Sequence, residues 1–289
     1  MASLKEVKGR IATVSNTQKI TSAMKMVASA KLHKAQAAIQ HMLSYKESLY
    51  RILHHLLSAN PSITSSFTIN REVKQIAILV FSSNSSLCGA FNSNVIRRVT
   101  EILNEYKHLG RENIHLYPIG KKVADALIKS GYSIEGDYQG MAAKPTFHDA
   151  ANMADHLMKM YLNGEIDKVE VVYHHYKNTT SQIIIRQPFL PIDLSHEVVA
   201  DDEIKETDYI LEPSSEELVE ELMPKVLRLK LYSVLLDSNT SEHAARTMAM
   251  QIATDNAENL LQELKLMYNK TRQQAITSEL LDIVGGQMA

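Results

Sequence analysis

The two ends of this 289-residue chain lack the residues that interrupt helices. Residues 10–60 and 225–284 contain no glycine or proline, whereas all seven prolines and seven of the ten glycines lie between these two segments. Glycine costs a helix interior about 1 kcal/mol and proline about 3 kcal/mol. The sequence therefore predicts two very long helices, of roughly 75 and 90 Å at about 1.5 Å per residue. Helices of this length exceed a compact domain, so they must pack on each other or on a partner.

Hydrophobic spacing in the first helix is that of a coiled coil. Heptad steps select sixteen positions, of which twelve are apolar. These positions are Leu4, Val7, Ile11, Val14, Gln18, Thr21, Lys25, Ala28, Leu32, Ala35, Ile39, Met42, Lys46, Leu49, Leu53 and Leu56. The three consecutive polar positions Gln18, Thr21 and Lys25 interrupt the seam. Either the helix packs loosely there, or that face meets something other than its partner helix.

The second long helix carries its own start and stop signals. Ser214 and Glu217 have the spacing of a capping box, and Gly285-Gly286 ends the pattern. Pro224 should kink the helix or mark its true start, and the polar run Asp237–Ser241 is a second weak point. The apolar positions are Leu218, Leu222, Val226, Leu229, Leu236, Met250, Ala253, Ala257, Leu260, Leu264 and Met267. Two such helices at opposite ends of one chain most simply form an antiparallel pair, with an ordinary helix bundle as the alternative.

The middle of the chain changes to an alternation of strands and helices. The predicted strands are Ile76–Phe81, Ile114–Ile119, Val169–Tyr176 and Ile183–Phe189. This order is typical of a doubly wound, Rossmann-like α/β domain with an antiparallel edge hairpin that turns at Asn178-Thr179. The sequence thus predicts four parts: an N-terminal coiled-coil helix (1–60), a central α/β domain (70–195), an acidic linker (196–213) and a C-terminal coiled-coil helix (214–289).

Candidate chemistry is sparse. The loop Ser82–Gly89 after the first strand has neither of the glycine patterns that bind phosphates, so a polar, self-capping turn is the favoured interpretation. His174 and His175 point to opposite faces of a strand and cannot share a metal ion. The single cysteine, Cys88, has no identifiable base beside it. We therefore expect no catalytic residue, no cofactor site and no metal site.

Charge and composition restrict the compartment and the partners. The formal net charge is −2, but residues 1–46 carry eight basic residues against the single acid Glu6, which suggests an acidic partner surface. No apolar run approaches the eighteen residues of a membrane span, and residues 4–8 do not resemble a signal peptide. A single cysteine suits a reducing cytoplasm. We expect a chain without a membrane span, able to sit on a membrane-bound partner.

Three strings at the two ends resemble the signatures of the gamma-subunit family of F-type ATP synthases, the central rotor shaft. Residues 11–28 read IATVSNTQKITSAMKMVA, residues 245–257 read ARTMAMQIATDNA, and residues 269–280 read NKTRQQAITSEL. The strings are long and correctly ordered, and the resemblance covers essentially the whole chain. One departure is the loop Asn84–Gly89, which lacks the acidic residue and the first glycine of the family pattern.

This resemblance implies a noncatalytic subunit that couples ion flow, of protons in this interpretation, to ATP synthesis and hydrolysis by rotation. The terminal helices would form an asymmetric antiparallel coiled coil inside a head of three alpha and three beta subunits. The α/β domain would sit on the membrane c-ring beside the epsilon subunit, at the cytoplasmic face of the bacterial inner membrane. The resemblance implies head contacts from Met24, Lys25, Arg246, Gln273, Thr277 and Glu279.

Two other classes of function remain open at this point. The first is a nucleotide-binding α/β enzyme that its long helices dimerise. The second is a coiled-coil adaptor unrelated to energy coupling, for which the basic first helix would bind nucleic acid with a steep salt dependence. That helix offers only Tyr45 and Tyr50 for base stacking, so no nucleic-acid partner is expected.

Overall fold

The computed structural model of the chain describes residues 3–59, 65–192, 212 and 214–286. That part of the chain contains ten regular elements, apart from two short 3₁₀ turns between α2 and β2. They are α1 (Leu4–Ala59), β1 (Ile76–Phe81), α2 (Phe91–Glu105), β2 (Ile114–Ile119), α3 (Lys121–Lys129), α4 (Gln139–Ala143), α5 (Phe147–Leu162), β3 (Lys168–Asn178), β4 (Ser181–Leu190) and α6 (Ser215–Gly286). The two predicted long helices are therefore confirmed.

The chain separates into two compact units. The coiled-coil unit consists of Met1–Ala30 and Arg246–Ala289, and the sheet unit consists of Lys31–Ala245. Both α1 and α6 contribute residues to each unit. The four-part division predicted from the sequence stays a prediction. Its acidic linker (196–213) lies outside the described residues, except for Glu212.

The helices of the coiled-coil unit run antiparallel. The Thr254 hydroxyl donates a hydrogen bond to the Thr21 hydroxyl at 2.9 Å, and farther along α6, Leu264 shares a groove with Gly9 and Val14 of α1. Residue numbers thus fall along α1 as they rise along α6. All sixteen heptad positions predicted for α1 are buried or half-buried. The eight from Leu4 to Ala28 lie in the coiled-coil unit, and the eight from Leu32 to Leu56 lie in the sheet unit.

The polar interruption of the α1 seam does not turn away from its partner helix. Gln18, Thr21 and Lys25 are each half-buried, and Thr21 is bonded to Thr254 across the seam. At Thr21 a polar contact across the seam therefore replaces apolar packing, and looser packing over these turns stays a prediction.

The predicted seam of α6 is wrong at two positions. Leu260 and Met267 are 44% and 49% exposed, whereas Leu261 and Leu264 are 8% and 6% exposed. Leu260 and Met267 each stand next to another apolar residue. The pattern of apolar residues therefore did not show which neighbour faces the partner helix. A straight α-helix with 3.6 residues per turn drifts against a strict heptad, and the buried row accordingly takes a four-residue step from Ala257 to Leu261.

The sheet of the second unit has the order β2-β1-β3-β4. Strand β1 pairs in parallel with β2 and β3, and β4 pairs antiparallel with β3. The doubly wound arrangement with an edge hairpin is confirmed. Strands β1 and β2 have the predicted bounds, whereas β3 and β4 are longer because the hairpin continues to a tight turn in which the Asn178 side chain accepts from the Thr180 and Ser181 amides.

Helices cover both faces of this sheet. Val95 and Val99 of α2 and Val123 of α3 pack on one face, while α1, α5 and α6 share the core on the other face. All six residues of β1 are buried. A central parallel strand covered on both sides reads as a continuous apolar run, which is why its bounds were predictable.

Helix α6 starts where the capping signal predicts. The Glu217 amide donates to the Ser214 hydroxyl at 3.2 Å, and the helix runs from Ser215 through Pro224. The suggestion that Pro224 marks the true start of the helix is therefore wrong. Proline removes one backbone donor from the helix, and the nine residues before it remain helical because Val219 and Met223 are fully buried in the core.

The polar run in α6 is a docking segment, not the weak point that the sequence suggests. The Asp237 carboxylate accepts from the Tyr176 amide at 2.7 Å and from the His175 ring at 2.6 Å. The Ser241 hydroxyl donates to the His174 carbonyl at 2.8 Å. These polar side chains thus satisfy backbone groups at the end of β3, which explains their place in a buried stretch of helix.

Replacing Asp237 with alanine should destabilise the sheet unit by about 1–3 kcal/mol, because the Tyr176 amide and the His175 ring lose their acceptor. Urea unfolding followed by circular dichroism measures this loss. Asp255→Ala is the matched control: Asp255 is exposed and accepts only from Gln251 in the same helix, so its removal should cost less than about 0.5 kcal/mol. Equal losses in both variants would contradict the docking role.

A buried carboxylate joins β3, β4 and the end of α2. Glu170 is 4% exposed; it accepts from Arg186 at 2.8 and 3.2 Å and forms an ion pair with Lys168 at 2.8 Å. The Tyr106 hydroxyl also donates to it at 2.9 Å. Burial acts to raise the pKa of Glu170, but the bonds from Arg186 and Lys168 outweigh it and lower this pKa.

The depressed pKa of Glu170 predicts acid sensitivity in a definite window. The stabilisation is complete above the ordinary glutamate pKa of about 4.5, and it is lost as the pH falls through the lower pKa of the folded state. Glu170→Gln should remove this part of the pH dependence. Urea unfolding of both forms between pH 7 and pH 3 measures the difference, which should shrink below about pH 4.5; a constant difference would contradict the assignment.

Candidate partner-binding site

The crevice where a doubly wound sheet usually binds nucleotides is occupied by the chain itself. Anion sites at helix N-termini require free amide groups. The first three amides of α3 are bonded within the protein: Lys121 to the Asn84 side chain, Lys122 to the Ser83 carbonyl and Val123 to the Ser82 hydroxyl. Gly120, with φ +109, lets this turn approach so closely that an added Cβ would lie 2.3 Å from the Ser82 carbonyl oxygen.

Helix α6 closes the same crevice at the carboxyl ends of the strands. The Asn239 side chain donates to the Ala142 carbonyl at 3.4 Å, and the space left beside Phe81 and Ser82 is a cavity of about 10 Å³. Ligand pockets usually measure about 300–1,000 Å³. The described residues therefore provide no room for a nucleotide at this position.

Metal-binding side chains do not converge in the part of the chain that the structure describes. No group of three or more histidine, cysteine or carboxylate side chains there could hold a metal ion. His174 and His175 diverge as predicted for neighbours on a strand, since the His174 ring stacks on Phe91 while His175 binds Asp237. Within residues 3–59, 65–192 and 214–286, no helix is long and apolar enough to cross a bilayer.

The coiled-coil unit instead exposes many large apolar side chains. They are Ile20, Met24, Met26, Val27, Ile252, Leu260, Leu266, Met267, Ile276, Leu280, Leu281 and Ile283, each at least 42% exposed. A single exposed apolar residue is ordinary, but a concentration on one unit marks an interaction surface. This surface is the candidate functional site.

The six residues predicted to contact partners all lie in the coiled-coil unit. Met24 is 42% exposed, Lys25 and Arg246 are half-buried, and the other three are exposed. These three are Gln273, Thr277 and Glu279. The Thr277 hydroxyl donates to the Gln273 carbonyl one turn earlier, so its hydrogen-bonding group is engaged within the helix.

The helix register separates these six residues into two patches. Because Thr21 lies opposite Thr254, Met24 and Lys25 lie within about two turns of Arg246 along the pair. The same register places Gln273 and everything after it beyond the start of α1 at Leu4. About 27 residues at about 1.5 Å each separate Arg246 from Gln273, or roughly 40 Å. The structure therefore defines a seam patch and a single-helix tip.

The tip, residues 273–286, is the part of the site that sequence reasoning missed most. Its apolar residues Ile276, Leu280, Leu281 and Ile283 are 49–66% exposed, because α1 does not extend alongside them. The spacing of Ile276, Leu280 and Ile283 indicates an amphipathic face, whereas the apolar positions predicted for this helix end at Met267. Met26 and Val27 are likewise apolar residues of α1 that lie outside the heptad positions, which indicates a second apolar face.

Basic side chains of α1 lie on the exposed side of the same unit. Lys5, Lys8 and Lys19 are exposed, and the neighbouring ion pair joins Arg10 to Glu6 at 3.2 Å. An acidic partner surface, as the charge pattern suggests, is compatible with this placement.

One unit is an antiparallel helix pair with an exposed apolar tip, and the other is an α/β domain whose crevice is filled. These features are typical of a helical subunit of a larger assembly. The family model described as ATP synthase matches residues 3–289. The chain belongs to the family of ATP synthase gamma chains, and its role is that of a rotor subunit of an F-type ATP synthase.

Related proteins cover the whole chain. The ATP synthase gamma chain of Phocaeicola vulgatus is 61% identical over 289 residues, with 100% of both chains covered, and that of Bacteroides fragilis is 56% identical over 292 residues. A rotor structure of the Euglena gracilis mitochondrial ATP synthase has a TM-score of 0.62 at 21% identity, covering 94% of this chain and 98% of that one. This likeness to the Euglena structure is one of fold.

Proposed function

We propose that the chain is the noncatalytic coupling element of the rotor, which links ion flow, of protons in this proposal, to ATP synthesis and hydrolysis by turning inside a catalytic head. The observation that carries the proposal is the single-helix tip of α6, whose exposed leucines and isoleucines require a partner that surrounds them. A head of three alpha and three beta subunits would surround the tip in this way. The filled crevice of the α/β domain favours this proposal over a nucleotide-binding enzyme.

The two patches have different partners in this proposal. The seam patch, with Met24, Lys25 and Arg246, would meet loops of the head near the middle of the shaft. The tip, with Gln273, Thr277 and Glu279, would meet the surrounding sleeve of the head. An exposed ion pair contributes about 0–1 kcal/mol, so transmission of torque rests on the stiffness of the helix pair and on many weak contacts.

The sheet unit would form the base of the rotor. There it would bind the epsilon subunit and the membrane c-ring, at the cytoplasmic face of the inner membrane, as a peripheral component. Rotation then presents different faces of an asymmetric shaft to the three catalytic subunits in turn. This asymmetry is supported by the pairing of just two antiparallel helices in the coiled-coil unit, because two helices cannot present three equivalent faces.

Reconstitution tests this function directly. The chain is co-expressed with the alpha, beta and epsilon subunits and combined with the membrane sector in lipid vesicles. We expect one copy of the chain per six head subunits, and ATP-driven acidification of the vesicles that is abolished when the chain is left out. A complex that pumps at the full rate without the chain would overturn the proposal. Nucleotide binding by the isolated chain would favour the enzyme alternative.

A further inference from the structure

His174 is a titratable side chain buried in the sheet unit without a polar partner. Its exposed fraction is 2%, and neither ring nitrogen has a hydrogen-bond partner among the described residues. The next residue, His175, has a 47% exposed side chain and binds Asp237. Two adjacent histidines therefore occupy opposite environments, and the second is a natural control for the first.

The His174 ring holds the start of α2. It stacks on Phe91, the first residue of that helix, with ring centroids 4.2 Å apart and an interplanar angle of 25°. Phe91 follows the segment between β1 and α2, residues 82–90, which we call the β1–α2 loop. Phe91 and Cys88 are 4% and 1% exposed. The stack is therefore one of the buried contacts that hold the C-terminal end of the loop.

The first three residues of the β1–α2 loop, 82–84, are bonded to α3 and to Gln139, so the part of the loop that can open is residues 85–90. Its residues 85–87 are exposed, and Leu87 has a positive φ of 67°, a conformation that costs a non-glycine residue free energy. The Asn92 side chain donates to the Cys88 sulfur at 3.1 Å and to the Ser83 hydroxyl at 2.8 Å. Opening of this loop would relieve the strain at Leu87 and expose Cys88.

A proton on the His174 ring is incompatible with the closed position. Burial lowers the pKa of His174 to about 4, against about 6.5 for an ordinary histidine. Between these two values an open loop binds a proton that the closed loop does not. The equilibrium therefore shifts toward opening as the pH falls from about 6.5 to about 4.

Charged groups around His174 have partners of their own. On the same face of β3 and β4, Glu170 and Arg186 bind each other. On α6, Asp237 binds His175 and Tyr176, and Glu242 is 8% exposed beside Ser82. In the loop the titratable group is the Cys88 thiol. Among the described residues none of these groups bonds to the His174 ring, so none offsets its desolvation directly.

We propose that His174 makes the β1–α2 loop acid-labile: a proton on its imidazole releases the loop and the first turn of α2 from the end of β3. The protonated ring keeps one favourable contact, because a cation over the Phe91 face gains a cation–π interaction, worth roughly thirtyfold in the equilibrium constant at a desolvated site. Without this contact, one-proton linkage gives roughly a 70-fold increase in the opening constant from pH 7.5 to pH 4.5. With it, about an eightfold increase should remain.

The thiol of Cys88 reports this opening, because it is the single cysteine of the chain and is 1% exposed. The full chain is labelled with a pyridyl disulfide, which reacts with thiols at acid pH, and each rate is divided by that of free cysteine at the same pH. The corrected rate should rise about eightfold or more from pH 7.5 to pH 4.5. His174→Gln and His174→Phe should abolish the rise, whereas His175→Gln should keep it.

Hydrogen exchange separates local opening from unfolding. At pH 4.5 the amides of residues 85–95 should exchange faster, after correction for the intrinsic rate, while those of β1 stay protected. A rate of thiol labelling that is independent of pH, an equal rise in the His174 variants, or simultaneous loss of protection in β1 would overturn the proposal. If His174→Phe fails to fold, as judged by circular dichroism, His174→Gln and the exchange data on the unmodified chain still decide it.

Discussion

Replacing Leu280 and Leu281 together with glutamine should leave the isolated chain as stable as before and weaken its hold in the assembled enzyme. Both side chains are exposed in the tip, at 57% and 66%, and glutamine has nearly the helix propensity of leucine. If the head surrounds the tip, replacing each leucine removes about 1.5–3 kcal/mol of the free energy gained when its side chain is buried. The pair would lose about 3 kcal/mol or more, which exceeds a hundredfold in affinity.

Two measurements on the same variant test this result. Urea unfolding of the isolated chain should change by less than about 0.5 kcal/mol, and ATP-driven proton pumping by the reconstituted complex should fall severalfold. Ser278→Gln changes an exposed residue of the same tip without removing apolar surface, so it should pump normally. Normal pumping by the double variant would show that the tip is not enclosed by the head.

Replacing Arg186 with methionine should destabilise the sheet unit by about 3–5 kcal/mol. The substitution keeps much of the side-chain volume but removes the two hydrogen bonds to Glu170 and the ion pair to Glu105. Removing one partner of a buried ion pair leaves the other charge without compensation. Lys168 still pairs with Glu170 at 2.8 Å, which favours the lower end of this range.

The double variant Arg186→Met, Glu170→Gln isolates the cost of the uncompensated charge. Because it removes the carboxylate as well, it should recover part of the lost stability despite carrying one more substitution. Urea unfolding at pH 7 of the two single variants and the double variant gives the coupling energy. Strictly additive losses would mean that Glu170 and Arg186 do not depend on each other in the fold.

Features set by a single strong signal were predictable from the sequence. Strand β1 consists of six buried apolar residues between polar ones. A run of this length is typical of a buried strand and too short for a buried helix. The α1 seam was recoverable because its heptad spacing persists over sixteen positions, so a few polar members did not hide it. The place of Lys25 on the coiled-coil unit followed from the heptad spacing, whereas the head contacts of Met24 and Lys25 follow from the resemblance alone.

Features that depend on a distant partner were not predictable. Asp237 and Ser241 look like helix-weakening residues until the end of β3 supplies groups for them to bind. Leu260 and Leu261 are equally apolar, and only the drift of α6 against α1 decides which of them is buried. The tip is exposed because α1 begins at Leu4 and therefore does not reach it. This depends on how the two helices are aligned, which neither sequence segment specifies by itself.

The bonds between α6 and the end of β3 have a consequence for torsion. Apolar contacts are non-directional, so a helix held by them alone could spin about its own axis in its groove. Asp237 and Ser241 add directional bonds of 2.6–2.8 Å to α6. A spin of roughly 10° moves a side-chain tip by about 1 Å at the radius of a helix, enough to break such bonds. Within the sheet unit, α6 is therefore fixed in azimuth as well as in position, as an axle that carries torque must be.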